Sequence, residues 1–140
     1  MWSSKSLALG LVLVKSAIAA PVDLQCPAPY PDRQQWTNLQ KQGWLMLSDH
    51  QGRPVLVEAG VLVGDATGNG ELRGADLAMG AGRQFGFAGT ETDGAKWFYC
   101  HYGTGAGVRL AYQLPVSVKH CRTVERLAGR QLVQASIRCE

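Results

Sequence analysis

Apolar residues in this chain come in short runs punctuated by 17 glycines, and no long window holds the 3.6-residue period of an amphipathic helix. That pattern selects strands and turns over helices. Residues 44–48 (WLMLS) and 54–64 (PVLVEAGVLVG) read as strands joined by a turn at Asp49, His50, Gln51 and Gly52. Residues 84–89, 97–102, 108–114, 116–126 and 132–139 continue the series. About seven strands at short spacing predict an all-β domain, a single small sandwich or partly open barrel. At most one short helix accompanies them, over 32–42, with Asp32 as N-cap, Gly43 as stop and Trp36 and Leu39 on one side.

Side-chain alternation orients two of these strands. Trp97, Tyr99 and His101 alternate with Phe98, Cys100 and Tyr102, so this strand carries bulk on both faces and is expected to be central, with Phe98 and Cys100 inward. Near the C-terminus, Val133, Ala135, Ile137 and Cys139 alternate with Gln134, Ser136 and Arg138, a period of two that buries one face and wets the other. This segment forms a hairpin with the strand before it, turning around Ala128, Gly129 and Arg130.

The N-terminal 26 residues point out of the cytoplasm. Lys5 precedes an apolar run at 6–14 (SLALGLVLV), and Ala17-Ile18-Ala19 is the Ala-x-Ala pattern of a signal-peptidase site. We read 1–19 as a signal peptide and 20–140 as a single secreted β domain, periplasmic or secreted. The apolar run is shorter than the roughly 20 residues that cross a bilayer, so no membrane insertion is expected after cleavage. Asp23-Leu24-Gln25 lacks the small residues that a lipoprotein signal sets before its cysteine. Lys5 and Lys15 account for two of the 14 basic side chains, leaving 12 against 11 acidic ones after residue 19. A net charge of +1 is no footprint for nucleic acid.

Cys26, Cys100, Cys121 and Cys139 are an even number of cysteines in an exported chain, which argues for two disulfides. Of three connectivities, the favoured one joins Cys121 to Cys139 across the last hairpin and Cys26 to Cys100. Cys100 with Cys121 plus Cys26 with Cys139, and the third pattern, stay open, because spacing does not determine pairing. No C-x-x-C pair exists, and His101 and His120 sit directly beside Cys100 and Cys121, so in strands they face the other way; a metal site is not expected.

One motif spells a calcium loop. Asp65, Thr67, Asn69 and Asp76 stand at positions one, three, five and twelve of an EF-hand-like loop, with Gly70 at six, and the stretch looks like the loop of dockerin modules. Thr67 is neutral, Arg73 puts a cation at position nine, and 78–82 (AMGAG) starts a helix poorly. A Gly/Asn-rich hairpin turn between 61–63 and 71–73 is the preferred reading, with no cofactor. Residues 103–107 (GTGAG) lack the lysine and following helix of a phosphate loop and read as a hairpin loop. No Ser, His and carboxylate stand in a recognisable catalytic relation, and the Glu91, Asp93 pair sits in a loop.

Cys26-Pro27, Gly43-Trp44, the run from Trp97 through Cys100 and Tyr102 to Thr104, then Leu114-Pro115 and Cys121 together resemble a family of small, exported, uncharacterised proteins of Gram-negative bacteria. That family carries an N-terminal Cys-Pro, a W-x-x-C-x-Y-x-x-T-like strand and a Leu-Pro run ending in cysteine. Thr104 falls one place earlier here. The resemblance implies export and disulfides and brings no activity. By size and all-β character alone the chain is also similar to periplasmic lysozyme inhibitors. The expected function is therefore a non-catalytic protein-binding module of immunity or inhibitor type acting on an unknown periplasmic protein. An envelope-directed hydrolase is the alternative, and a calcium-dependent structural module the third. Tyr102, Arg109 and Thr104, flanking the glycine-rich loop, are the expected partner-binding residues, since exposed aromatic and arginine side chains anchor interfaces.

Overall fold

The structure is a computed structural model that describes residues 21–47, 54–68, 70–71, 74–76, 82–87, 94–103 and 107–140. The signal-peptide reading of 1–19, the turn at 49–52, Asn69, Arg73, Glu91, Asp93 and Thr104 lie outside the described residues.

Two antiparallel sheets form an open sandwich. In chain order the elements are β1 (Val22–Gln25), α1 (Arg33–Lys41), β2 (Trp44–Met46), β3 (Leu56–Val63), β4 (Ala75–Asp76), β5 (Gly82–Gly86), β6 (Lys96–Tyr102), β7 (Val108–Gln113), β8 (His120–Ala128) and β9 (Gln131–Cys139). The five-stranded sheet runs β1-β9-β8-β5-β4 and the four-stranded sheet β2-β7-β6-β3. The all-β expectation, with one short helix and two disulfides, holds. Strands β1 and β4 carried no apolar signal long enough to read. Strand β8 begins at His120 rather than 116, because Val118 N–H donates to the Pro115 carbonyl at 3.1 Å and the chain turns there.

The expected hairpin of 44–48 with 54–64 does not form. β2 pairs with β7 and β3 with β6, so the two occupy opposite edges of one sheet. Turn chemistry at 49–52 was compatible with a hairpin, but β6 and β7, joined by a shorter loop, take the centre and separate them.

Inward side chains of both sheets make one core. Phe98, Cys100 and Tyr102 on β6, Val108 and Leu110 on β7, and Ala135, Ile137 and Cys139 on β9 are all essentially inaccessible. Phe98 meets Trp44 edge-on at 6.0 Å, and Trp44 meets Tyr112 at 5.7 Å. Cys26 and Cys100 are bridged, tying the segment after β1 to the opposite sheet, and Cys121 and Cys139 are bridged within the β8–β9 pair. The favoured pairing is thus the one found. In β9 the alternation breaks near the turn. Arg126 faces Gln134 but Leu127 faces Leu132, so Val133 is skipped and half-buried while Leu132 takes the core position.

Helix α1 starts as its sequence dictates. The Asp32 carboxylate accepts from Gln35 N–H at 2.8 Å, and the Gln35 side-chain oxygen accepts from Asp32 N–H at 3.0 Å, a reciprocal capping box. Gly43, at φ +104°, releases the chain into β2. Trp36 and Leu39 both lie half-buried against the core. Among the described residues no carboxylate pairs with buried Lys96: its ammonium donates to the Val118 carbonyl at 3.1 Å and sits 4.7 Å from the Phe87 ring centroid.

Candidate functional site

The structure separates the residues expected to form a partner-binding tip. In the β6–β7 ladder Tyr102 pairs with Val108 and His101 with Arg109, so Tyr102 and Arg109 point to opposite faces. Tyr102 is 0% exposed; its hydroxyl donates to the Pro27 carbonyl and its ring meets Tyr30 edge-on at 5.2 Å. It is a core residue, not a surface anchor. Its parity with Phe98 and Cys100 carried that outcome, and the pull of a neighbouring glycine-rich loop obscured it. Thr104 lies outside the described residues.

Arg109 is a clamp. Its guanidinium lies 4.9 Å from the Tyr99 ring centroid, donates to the Gly68 and Ala66 carbonyls at 3.1 and 3.4 Å, and meets the Glu71 carboxylate at 3.6 Å. These contacts hold the segment after β3 down on the outer face of the four-stranded sheet. There Leu62, Ala66, Tyr99 and Ala111 form a second small core, and Trp97 Nε1 donates to the Gly64 carbonyl at 2.9 Å. With its donors so engaged, Arg109 has structural work to do and is not a free hot spot.

The same segment settles the backbone of the calcium-like motif. Asp65 Oδ1 accepts from the Thr67 N–H and hydroxyl, both at 2.9 Å, and these bonds hold the carboxyl below its ordinary value. Val63 N–H donates to the Gly70 carbonyl at 2.9 Å, and Leu62 bridges Glu71 antiparallel: a hairpin turn. Gly70 is needed because a Cβ there would lie 2.3 Å from the Val63 carbonyl oxygen, so the turn accounts for it. Asp76 pairs with Arg83 in the five-stranded sheet, whereas Asp65 lies in the turn that follows β3 of the four-stranded sheet. Among the described residues no three His, Cys, Asp or Glu side chains converge as a metal site.

Buried phenols make this architecture sensitive to alkali. Burial holds the Tyr102 hydroxyl well above its ordinary value, and burial, then the Glu58 and Glu71 carboxylates, do the same for Tyr99. Above pH 10 the unfolded chain releases protons that the native state keeps, so stability present below pH 10 falls as pH climbs further. Urea midpoints at pH 8 and pH 10.5, read with absorbance at 295 nm, should show a lower midpoint at pH 10.5 and phenolate absorbance from these two rings appearing with unfolding. Their ionisation near pH 10 in the folded protein would contradict the assignment.

Sequence reasoning passed over a groove of about 900 Å³ on the outer face of the five-stranded sheet. Register builds it row by row. Gln84 on β5, Arg122 on β8, Arg138 on β9 and Asp23 on β1 lie side by side, all outward. His120, two residues before Arg122, pairs with Gly86, whose missing side chain leaves the floor beside the imidazole open. Val124 and Ser136 form the row beyond. Arg138 donates to the Asp23 carboxylate at 2.7 Å. The sequence signal is the basic C-terminal stretch containing Arg122, Arg126, Arg130 and Arg138; only strand register shows which of these arginines converge.

Comparison of the chain with protein-family models, with curated proteins and with solved structures gives no match.

Proposed function

We propose that this chain is an exported, non-catalytic domain of the periplasm or the extracellular medium that acts by binding a partner protein, in the manner of an immunity protein or a wall-hydrolase inhibitor. The observation supporting this reading is the groove on the five-stranded sheet, where side chains from four neighbouring strands converge on a rigid surface. Two disulfides belong to an oxidising compartment, and the leader-like 1–19 supports export. Against hydrolysis, Ser136 and His120 stand two rows apart along the strands, about 13 Å at the usual rise per residue. That is far beyond the reach of a nucleophile–base hydrogen bond. Cys100 is locked in a bridge and supplies no thiolate.

Two measurements test the reading together. Size-exclusion chromatography of the exported protein mixed with periplasmic extract and culture medium should resolve a saturable complex of defined stoichiometry. Incubation with purified peptidoglycan sacculi should release no soluble fragments. Fragment release proportional to protein concentration would replace binding with hydrolysis, and absence of any saturable complex would remove the binding reading.

A further inference from the structure

We propose that the outer edge of β3 is a strand-addition site, which takes an extended segment of the partner protein, bearing a basic side chain, through Ala59, Val61 and Glu58. It rests on the binding-domain reading, names the form of the partner and uses a surface apart from the groove.

Main-chain direction shows where this edge is open. Gly64 N–H donates to the Ala95 carbonyl on the β6 side, whereas Val63 N–H donates to the Gly70 carbonyl on the opposite side. Main-chain groups alternate along a strand, so Glu58, Gly60 and Leu62 turn theirs to β6, and Ala59 and Val61 turn theirs outward. Among the described residues neither outward N–H has a partner. The other three sheet edges are short: β1 has four residues, β2 three and β4 two, against eight in β3. β3 contains neither proline nor lysine, the residues that blunt an edge. Its bulge at Val57 leaves Val55 and Val57 50% and 44% exposed, an apolar margin beside the open stretch.

Unmet donors on a strand edge are matched by another strand, whose main chain supplies carbonyls at the same spacing. Register disfavours a second copy of this chain. Antiparallel pairing about Gly60 would set a partner residue opposite Leu62, on the edge where Glu71 already bridges it. Pairing about Glu58 would set two Glu58 side chains directly opposite each other, and like charges so placed destabilise a sheet. The open stretch from Val57 to Val61 is about 17 Å long at the usual rise, room for a short strand. Charge selects one of its side chains. Glu58 is exposed on the outer face, accepts from the Tyr99 hydroxyl and makes no ion pair among the described residues. In its row stand His101 and then Arg109, whose guanidinium is already met by Glu71, so two carboxylates face one guanidinium. A lysine or arginine placed opposite Glu58 completes the second ion pair.

The probe is a fluorescein-labelled peptide of alternating valine and lysine, titrated with protein expressed from the full chain and carrying both disulfides, with anisotropy as readout. Saturable binding is expected. The same peptide N-methylated at its valines should be inert, since the valines are the residues whose main chain would face Ala59 and Val61. Ala59→Pro removes one outward N–H and spares the β3–β6 ladder, so it should weaken binding at least tenfold. Glu58→Lys should reverse the preference for this peptide over one of alternating valine and glutamate, and Lys41→Gln on the helix should change nothing. Amide exchange locates the contact: Ala59 and Val61 should exchange fast in the free protein and slowly with saturating peptide. Circular dichroism confirms that each variant folds; if Ala59→Pro does not, the reversal by Glu58→Lys decides. Unchanged binding by the folded variants, or protection elsewhere, overturns the site. A concentration-dependent dimer in sedimentation that Ala59→Pro dissociates overturns the partner strand in favour of a second copy. If the periplasmic complex survives both variants unchanged, this inference fails while the binding reading stands. If no partner complex forms at all, the binding reading fails first.

Discussion

Replacing Cys26 and Cys100 together by alanine is expected to lower the free energy of unfolding by about 4.5 kcal/mol, the larger effect of the two bridges. The bridge spans a sequence separation of 74, against 18 for Cys121–Cys139. Restricting the longer loop removes more freedom from the unfolded chain, and the same relation gives about 3 kcal/mol for the shorter one. Position reinforces the ranking. Cys26–Cys100 joins the segment after β1 to the central strand of the opposite sheet, where Cys100 is 0% exposed, whereas Cys121–Cys139 joins two strands already paired along their length. Guanidinium unfolding of the two double-alanine variants measures the order. A smaller loss for the Cys26, Cys100 variant than for the Cys121, Cys139 variant would show that cross-sheet attachment does not limit stability.

Phe98→Ala is expected to cost about 3–5 kcal/mol, the range for deleting a fully buried aromatic. Phe98 lies at 0% exposure on β6, between β3 and β7, with its ring edge-on to Trp44. Its removal strips one partner from the Trp44 ring and leaves a void that the two flanking strands, fixed by their ladders, cannot close. Phe98→Leu restores most of the volume and should cost less than half as much. Chemical denaturation of both variants tests the account, and equal losses would mean that the aromatic contact, rather than the cavity, dominates.

Strands of five or more residues with clear alternation were legible, and so was the pairing of cysteines across a hairpin. Phe98 and Cys100 face inward because period two leaves no other choice once one face is buried. Asp32, Gln35 and Gly43 announce α1 through local bonds alone. What failed was non-local. The neighbours of 44–48 and 54–64 depend on which strands win the centre of the sheet, and turn residues at 49–52 do not encode that competition. Arg109 looked available because its acceptors, the Ala66 and Gly68 carbonyls, lie more than 40 residues away and belong to the backbone, which one-dimensional patterns do not display. The row of Gln84, Arg122, Arg138 and Asp23 was invisible for the same reason: it draws one residue from each of four strands scattered from β1 to β9.

Disulfide connectivity also bears on how such a chain matures when it emerges N-terminus first. Cys26 bonds to the next cysteine along the chain, Cys100, and Cys121 bonds to the next after it, Cys139. An oxidant that acts on thiols in their order of appearance therefore makes both native bonds directly. Cys26 waits through 73 intervening residues that contain no other thiol to capture it. Exchange through mixed disulfides, which takes seconds to hours, is a step this arrangement does not require.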